Sequence, residues 1–364
     1  MRVLFDIVHP AHAHFYRHLH SRLLREGHEC EVLARGKEVT LELLDDFGIP
    51  YETHGSPQRG RLSQARELAA RDVRLYRIGR RFRPDFVLAR NPAGIHAARA
   101  LGAIGVFDTD DGSAGGLVFR LAAPLATVIT TPECLDEDFG AKHVRYPGYK
   151  ALAFLHPDHF HPDPDVGERL GVGDERFGIV RLTAMDSAHD RNQEGVPRDV
   201  ARALIDRLEA SDMRVFVSTE GPLPDEWAHL GFPIAARHML DAMAAASIVV
   251  GDSGSMVGEA AMLGTPAVFC GSFAHRRTYL VDLERSWGLT RVFLPHEADE
   301  MLWTVAQLVE DPETARIWQE RRAQMLGQAV NVSAWYYDLL LALHDLGVSA
   351  TTDRLRASFR DSVR

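Results

Sequence analysis

Five times within residues 2–133 a short apolar run ends in a polar or glycine-rich turn and gives way to a helix-patterned stretch. Residues 2–8 predict a buried strand, and Phe15, Leu19 and Leu23 then recur at helical spacing until Gly27. Residues 28–34 predict the second strand, 37–47 a helix stopped by Gly48, and 62–82 a long arginine-rich helix. Strands at 86–89, 105–107 and 127–130 follow, each ending in a polar turn. Such alternation specifies a parallel sheet whose loops gather at the carboxyl edges of the strands. The loop after the first strand carries His9-Pro10-Ala11-His12 where dinucleotide oxidoreductases have a G-x-G-x-x-G turn, which argues against a nicotinamide enzyme.

The same rhythm resumes after residues 156–174, a proline-rich stretch with little hydrophobic periodicity that marks a domain crossing. Strands are expected at 177–182, 213–218, 248–251 and 267–270, and helices at 197–210, 238–246, 297–311 and 333–346. At 364 residues the chain is long enough for two domains, each with its own core.

The stretch 251–266, Gly-Asp-Ser-Gly-Ser-Met-Val-Gly-Glu-Ala-Ala-Met-Leu-Gly-Thr-Pro, joins a strand end, a small-residue turn and a helix start. Asp252 and Ser253 are favourable N-cap types, and Gly264 with Pro266 supplies the stop. Small residues at 253–255 let an anion approach the first-turn N–H groups, where the helix dipole favours negative charge. Glu259, further along the helix, is suited to ribose hydroxyls. A plain capped helix of a βαβ unit has the same spacing.

This motif resembles the donor-nucleotide motif of UDP-N-acetylglucosamine 2-epimerases and related GT-B glycosyltransferases. Ser255 stands in place of the second glycine, and Gly258 in place of the first of two glutamates. The opening residues 1–15 and the segment 148–157 resemble more closely the family catalogued as domain of unknown function 354, which is itself similar to GT-B proteins. The resemblance implies an α/β, GT-B-like fold, with two Rossmann-like parallel-sheet domains facing a central cleft. It implies an acceptor-side domain over 1–155, a linker over 156–174 and a nucleotide-sugar domain over 175–330. A helix over 331–350 is then expected to cross back, leaving a polar, frayed tail over 351–364.

Carried over by position, Ser253, Gly254 and Ser255 would face phosphate and Glu259 the ribose, with Asp252 also counted among the nucleotide-binding residues. Ser187 and His189 after the first strand of the second domain would approach the diphosphate, while Glu220 and His238 would line the base side. Arg181 lies inside the strand pattern and suits an internal pair, and His275, Arg276 and Arg277 form a basic turn. GT-B chemistry also needs a base for the acceptor hydroxyl. His12 and His9, in the loop after the first strand, are candidates, as is Asp111 in the acidic turn after the fourth strand. Asp110 in that turn is expected to be a solvated residue or a helix cap. Asn91 stands where the epimerases carry an acidic residue, and an amide cannot serve as that base.

No cofactor is expected beyond a nucleoside diphosphate sugar as substrate, UDP-linked by resemblance, and no spacing matches a structural metal site. The formal net charge of −10 argues against a general nucleic-acid binder. Only Lys37, Lys142 and Lys150 are lysines among 41 basic residues. Cys30, Cys134 and Cys270 are odd in number and unpatterned, which suits a reducing compartment. No signal peptide or spanning run is read, so the expectation is a cytoplasmic protein with any membrane contact peripheral. The leading function is transfer of a sugar from a nucleoside diphosphate to a cell-envelope, glycan or lipid-linked acceptor, with homo-oligomer formation left open. The alternatives are a sugar-nucleotide epimerase or hydrolase, and a GT-B-like scaffold without catalysis.

Overall fold

The computed structural model describes every residue except 37, 56–59, 184–194, 220, 275–277 and 363–364. The chain divides into two compact units, residues 1–159 with 329–364, and residues 160–328.

The first unit is built on a seven-stranded sheet: β1 (Arg2–Ile7), β2 (Glu29–Ala34), β3 (Glu52–Thr53), β4 (Phe86–Ala89), β5 (Ile104–Asp108), β6 (Val128–Pro132) and β7 (His143–Tyr146). The order is β3-β2-β1-β4-β5-β6-β7, and every pair is parallel. β4 and β6 are buried throughout, as expected of strands covered on both faces. The direction of winding reverses between β1 and β4, which sets the loops after these strands side by side at their carboxyl ends. Right-handed crossovers put the helices of the two halves on opposite faces of the sheet. Accordingly Pro10–Arg25 packs against Glu38–Asp46 on one side, and Arg61–Phe82 against Pro92–Leu101 on the other.

Helix Pro10–Arg25 starts at His9, whose ring accepts from Ala11 N–H, and buries Phe15, Tyr16, Leu19 and Leu23 at the spacing of one helical face. Buried Arg71 gathers three strand ends, donating to Asp6 and to the carbonyls of Ile7, Leu33 and His54. The helix Val332–Leu346 packs on Pro10–Arg25 and belongs to the first unit. Residues 351–362, expected as a frayed polar tail, instead continue the helix Val348–Ser362, which packs against β7. Thr351 and Thr352 are buried there and Arg356 pairs with Asp138, so a mainly polar helix is held by its few inward contacts.

The second unit carries a parallel sheet of β8 (Phe177–Leu182), β9 (Arg214–Thr219), β10 (Ile248–Gly251), β11 (Ala267–Cys270) and β12 (Thr290–Phe293), in the order β12-β11-β10-β8-β9. One face covers a core that includes Val180, Leu204, Val215, Trp227, Val250 and Met301. Here the reversal falls between β8 and β10, next to the motif turn. The sequence reading missed β3, β7 and β12 and the helices Thr278–Arg285 and Thr314–Leu326.

Candidate functional site

In the second unit the motif forms the end of β10, a turn, and the helix Gly254–Leu263, closed by Gly264 in the left-handed conformation. Gly251 is required by close approach, since a Cβ there would sit 2.0 Å from the Arg181 carbonyl oxygen of neighbouring β8. Asp252 is buried and ties two segments to the turn, accepting from Thr183 N–H at 2.7 Å and Val196 N–H at 3.2 Å. Burial raises its pKa, and those backbone donors act in the opposite direction. Asp252 therefore shapes the loop from within.

Ser253 is the N-cap residue, with extended backbone and no capping bond from its hydroxyl. The first-turn N–H groups have no intrahelical acceptor, so this end of the helix can accept an anion. Gly254 and Gly258 lie against Tyr279: an added Cβ would meet its hydroxyl at 2.8 Å in the first case and its ring at 2.8 Å in the second. The tyrosine occupies the space that a side chain at 258 would need, which explains glycine at that position. Ser255 is exposed and Glu259 half-buried, four residues apart and hence on one face of the helix.

Other residues expected near this turn are distributed differently. Ser187, His189 and Glu220, with His275, Arg276 and Arg277, lie outside the described residues. His238 stands at the N-cap position of the helix Met239–Ala245 without a capping bond from its side chain; that helix packs against Gly254–Leu263, and His238 Nδ1 lies 3.7 Å from Asp241. Arg181 donates to the Ser218 hydroxyl at 2.7 Å.

In the first unit the strand ends collect a charged network. Arg90, after β4, is buried and pairs with both Asp108 and Asp110, while Lys150 reaches Asp110 at 2.5 Å. Asp108 also accepts from the hydroxyls of Tyr336 at 2.5 Å and Thr130 at 3.2 Å. Arg90 packs over the Phe15 ring at 5.1 Å, so both its charge and its flat face are used. Asp110 is thus a half-buried ion-pair member, contrary to the expectation of a solvated residue. Burial alone would raise its pKa, but Lys150 and Arg90 outweigh that and hold the carboxyl well below the usual range.

His12 is half-buried beside this network. Burial lowers its pKa well below 6.5, and Arg90, His9 and Lys150 lower it further. The imidazole is therefore neutral at physiological pH, with a lone pair able to accept a proton. His9 is exposed and caps its helix; Asp111 is exposed at the start of the turn Gly112–Gly115. Asn91 caps the helix Pro92–Leu101, accepting from Ala93 N–H at 3.0 Å.

The sequence reading missed Arg90 and Lys150 as functional partners. The available signal was a cation at a strand end within the same sheet edge as Asp108 and Asp110, and one of only three lysines in the chain. Among the described residues no group of three or more His, Cys, Asp or Glu side chains is placed to hold a metal ion. No described helix is long and apolar enough to cross a membrane.

Comparison with solved structures shows that both sheets belong to a GT-B fold. A UDP-N-acetylglucosamine 2-epimerase superposes with a TM-score of 0.69 at 17% identity, covering 94% of this chain and 96% of that one. The S. aureus MnaA–UDP structure gives a TM-score of 0.69 at 13% identity, covering 95% and 97%. The spinosyn forosaminyltransferase SpnP gives 0.59 at 18% identity, covering 95% and 99%. No curated protein matches the sequence. Residues 1–320 match the family described as protein of unknown function (DUF354), and the chain belongs to that family.

Proposed function

We propose that this chain is a glycosyltransferase that moves a sugar from a nucleoside diphosphate to a hydroxyl of a glycan or lipid-linked acceptor. The observation that carries the reading is the uncapped start of the helix Gly254–Leu263, at the point where the second sheet reverses, with Ser255 and Glu259 on its accessible face. The diphosphate binds the first-turn N–H groups, the hydroxyls of Ser253 and Ser255 add donors, and the Glu259 carboxylate accepts from the ribose hydroxyls. Because structures of the same fold are solved in complex with UDP and with thymidine diphosphate, a pyrimidine nucleotide is the first to test, uridine before thymidine.

In the transfer step the acceptor oxygen forms a bond to the anomeric carbon as the bond from that carbon to the diphosphate oxygen breaks. The leaving diphosphate takes the electron pair, and the helix end stabilises its growing charge. The hydroxyl proton passes to neutral His12. An epimerase reading has less support, because Asn91 stands in the acidic position and is engaged as a helix cap.

Calorimetric titration of the whole chain with UDP, dTDP, GDP, CDP and ADP tests the donor site, repeated on Glu259→Ala. Saturable binding of one nucleotide, weakened about tenfold or more by the substitution, supports the reading; the loss of one charge-assisted hydrogen bond is of that size. Absence of binding by all five to folded protein removes it.

A further inference from the structure

The helices Arg61–Phe82, Pro92–Leu101 and Leu117–Ala122 form one layer over a face of the first sheet. His96 joins all three, its ring 3.1 Å from Asp72 and 3.3 Å from the Leu121 carbonyl. The inner side of the segment 117–126 is complete: Phe119, Ala122, Ala123 and Ala126 pack into the core with Ile95, Phe107 and Ile129. Its outer side is apolar as well. Leu117 is 68% exposed, Val118 43% and Leu125 42%, with Leu121 beside them. Core packing gives no reason for four large apolar side chains on that outer side.

The neighbouring helix continues the surface. Leu62, Val73 and Tyr76 are exposed at helical spacing along Arg61–Phe82, next to Asp72 and hence to the His96 bridge. Most of the exposed large apolar side chains among the described residues belong to this layer. Cations accompany them. Arg66 and Arg80 lie on the same line of positions, and Arg77 and Arg120 flank it; all four are exposed and form no ion pair with another described residue. Arg71, Arg74 and Arg81 on the same helix are matched by carboxylates, so the unmatched charge is confined to the outward side.

We propose that this face seats the chain on an anionic lipid bilayer. Leu117, Val118, Leu121 and Leu125 enter the headgroup region, and the surrounding arginines pair with lipid phosphates. The choice of a lipid surface follows from the charge pattern. A chain with net charge −10 is repelled by an anionic surface except through such a local basic rim, so the rim also fixes the orientation. Exposed apolar side chains accompanied by exposed arginines on the same helix layer match the apolar and anionic parts of a lipid surface. The inference is independent of the sugar-transfer reading.

Flotation of the full chain with phosphatidylcholine vesicles, with and without phosphatidylglycerol, tests this. Binding is expected only with the anionic lipid and is expected to weaken as salt is raised. Arg66→Glu and Arg80→Glu should each reduce it about fivefold or more, from the attraction contributed by one arginine near an anionic surface. Leu117→Glu with Leu121→Glu should reduce it at least about tenfold with circular dichroism and melting unchanged, since two apolar anchors are replaced by charges. No binding to anionic vesicles overturns the proposal, as does binding that the leucine variants leave intact. So does self-association, seen by sedimentation, that Leu117→Glu abolishes, because a second copy would then be the occupant.

Discussion

The hydroxyl of Tyr336 donates a 2.5 Å hydrogen bond to Asp108 at the end of β5, across 228 positions of sequence. Both groups are buried, and Thr130 and Arg90 share the same carboxylate. Tyr336→Phe keeps the ring packing and removes this donor together with the 2.5 Å hydrogen bond between the Tyr336 and Thr130 hydroxyls. The expected cost is about 2 kcal/mol, the usual value for a buried bond to a charged group. Urea unfolding would read it directly, and an unchanged midpoint would mean that Thr130 and Arg90 already satisfy Asp108.

At the motif turn, Gly251→Ala and Gly258→Ala should differ in cost. The first places a Cβ 2.0 Å from a backbone oxygen of β8, which cannot move without disturbing the sheet; the second meets only the ring of Tyr279 at 2.8 Å. The expected losses are about 3 kcal/mol or failure to fold for Gly251→Ala, and about 1 kcal/mol for Gly258→Ala. Combining Gly258→Ala with Tyr279→Ala should cost less than the sum of the two, because the smaller side chain frees the space. Strict additivity in that cycle would show that Tyr279 is not what excludes a side chain at 258.

For the proposed transfer, with His12 as the proposed base, the pH dependence follows from the cations around His12. Removing the base as His12→Ala should slow turnover by about 10²–10⁴-fold. Lys150→Met removes a charge that lowers the His12 pKa, so the acidic limb of the pH–rate profile should move to higher pH. A limb that stays in place while the rate falls would assign Lys150 to Asp110 alone.

Acid stability has a separate source in the first unit. Burial, with Arg145 nearby, lowers His143 to about 4, although Asp138, 3.4 Å from its Nδ1, acts in the opposite direction. Its Nδ1 accepts from Phe139 N–H at 3.2 Å and its Nε2 lies 2.9 Å from the Thr131 hydroxyl, an arrangement that protonation of Nδ1 disrupts. The unfolded chain takes up this proton near pH 6.5 and the folded chain only near 4. Stability therefore falls as pH drops through that interval, by at most about 1.4 kcal/mol per pH unit from this residue. His14, also lowered to about 4 by burial, acts in the same direction. His143→Gln should flatten the plot of unfolding free energy between pH 7 and 5; an equally steep plot would place the sensitivity elsewhere.

The elements that could be read from sequence are those whose signals are local. Apolar runs bounded by glycine and proline gave β1, β4, β8 and β10, and the small residues at 253–255 gave the turn. β3 has only two residues, Glu52 and Thr53, neither of them apolar, and exists because Ala34 and Leu33 offer it an edge. Nor does local pattern tell that Asp110 is an ion-pair member: its partners Arg90 and Lys150 come from other segments. Glycine at 258 departs from the nucleotide motif for a tertiary reason, the ring of Tyr279.

The first unit closes with residues 329–364, whereas the second is continuous over 160–328. During synthesis the second can fold as soon as it leaves the ribosome, while the first waits with Asp108 and Arg90 lacking Tyr336 until more than a hundred further residues have emerged. The seven-stranded sheet, complete but lacking its closing helices, is then the aggregation-prone nascent species, and chaperone demand should track the delay before those helices arrive.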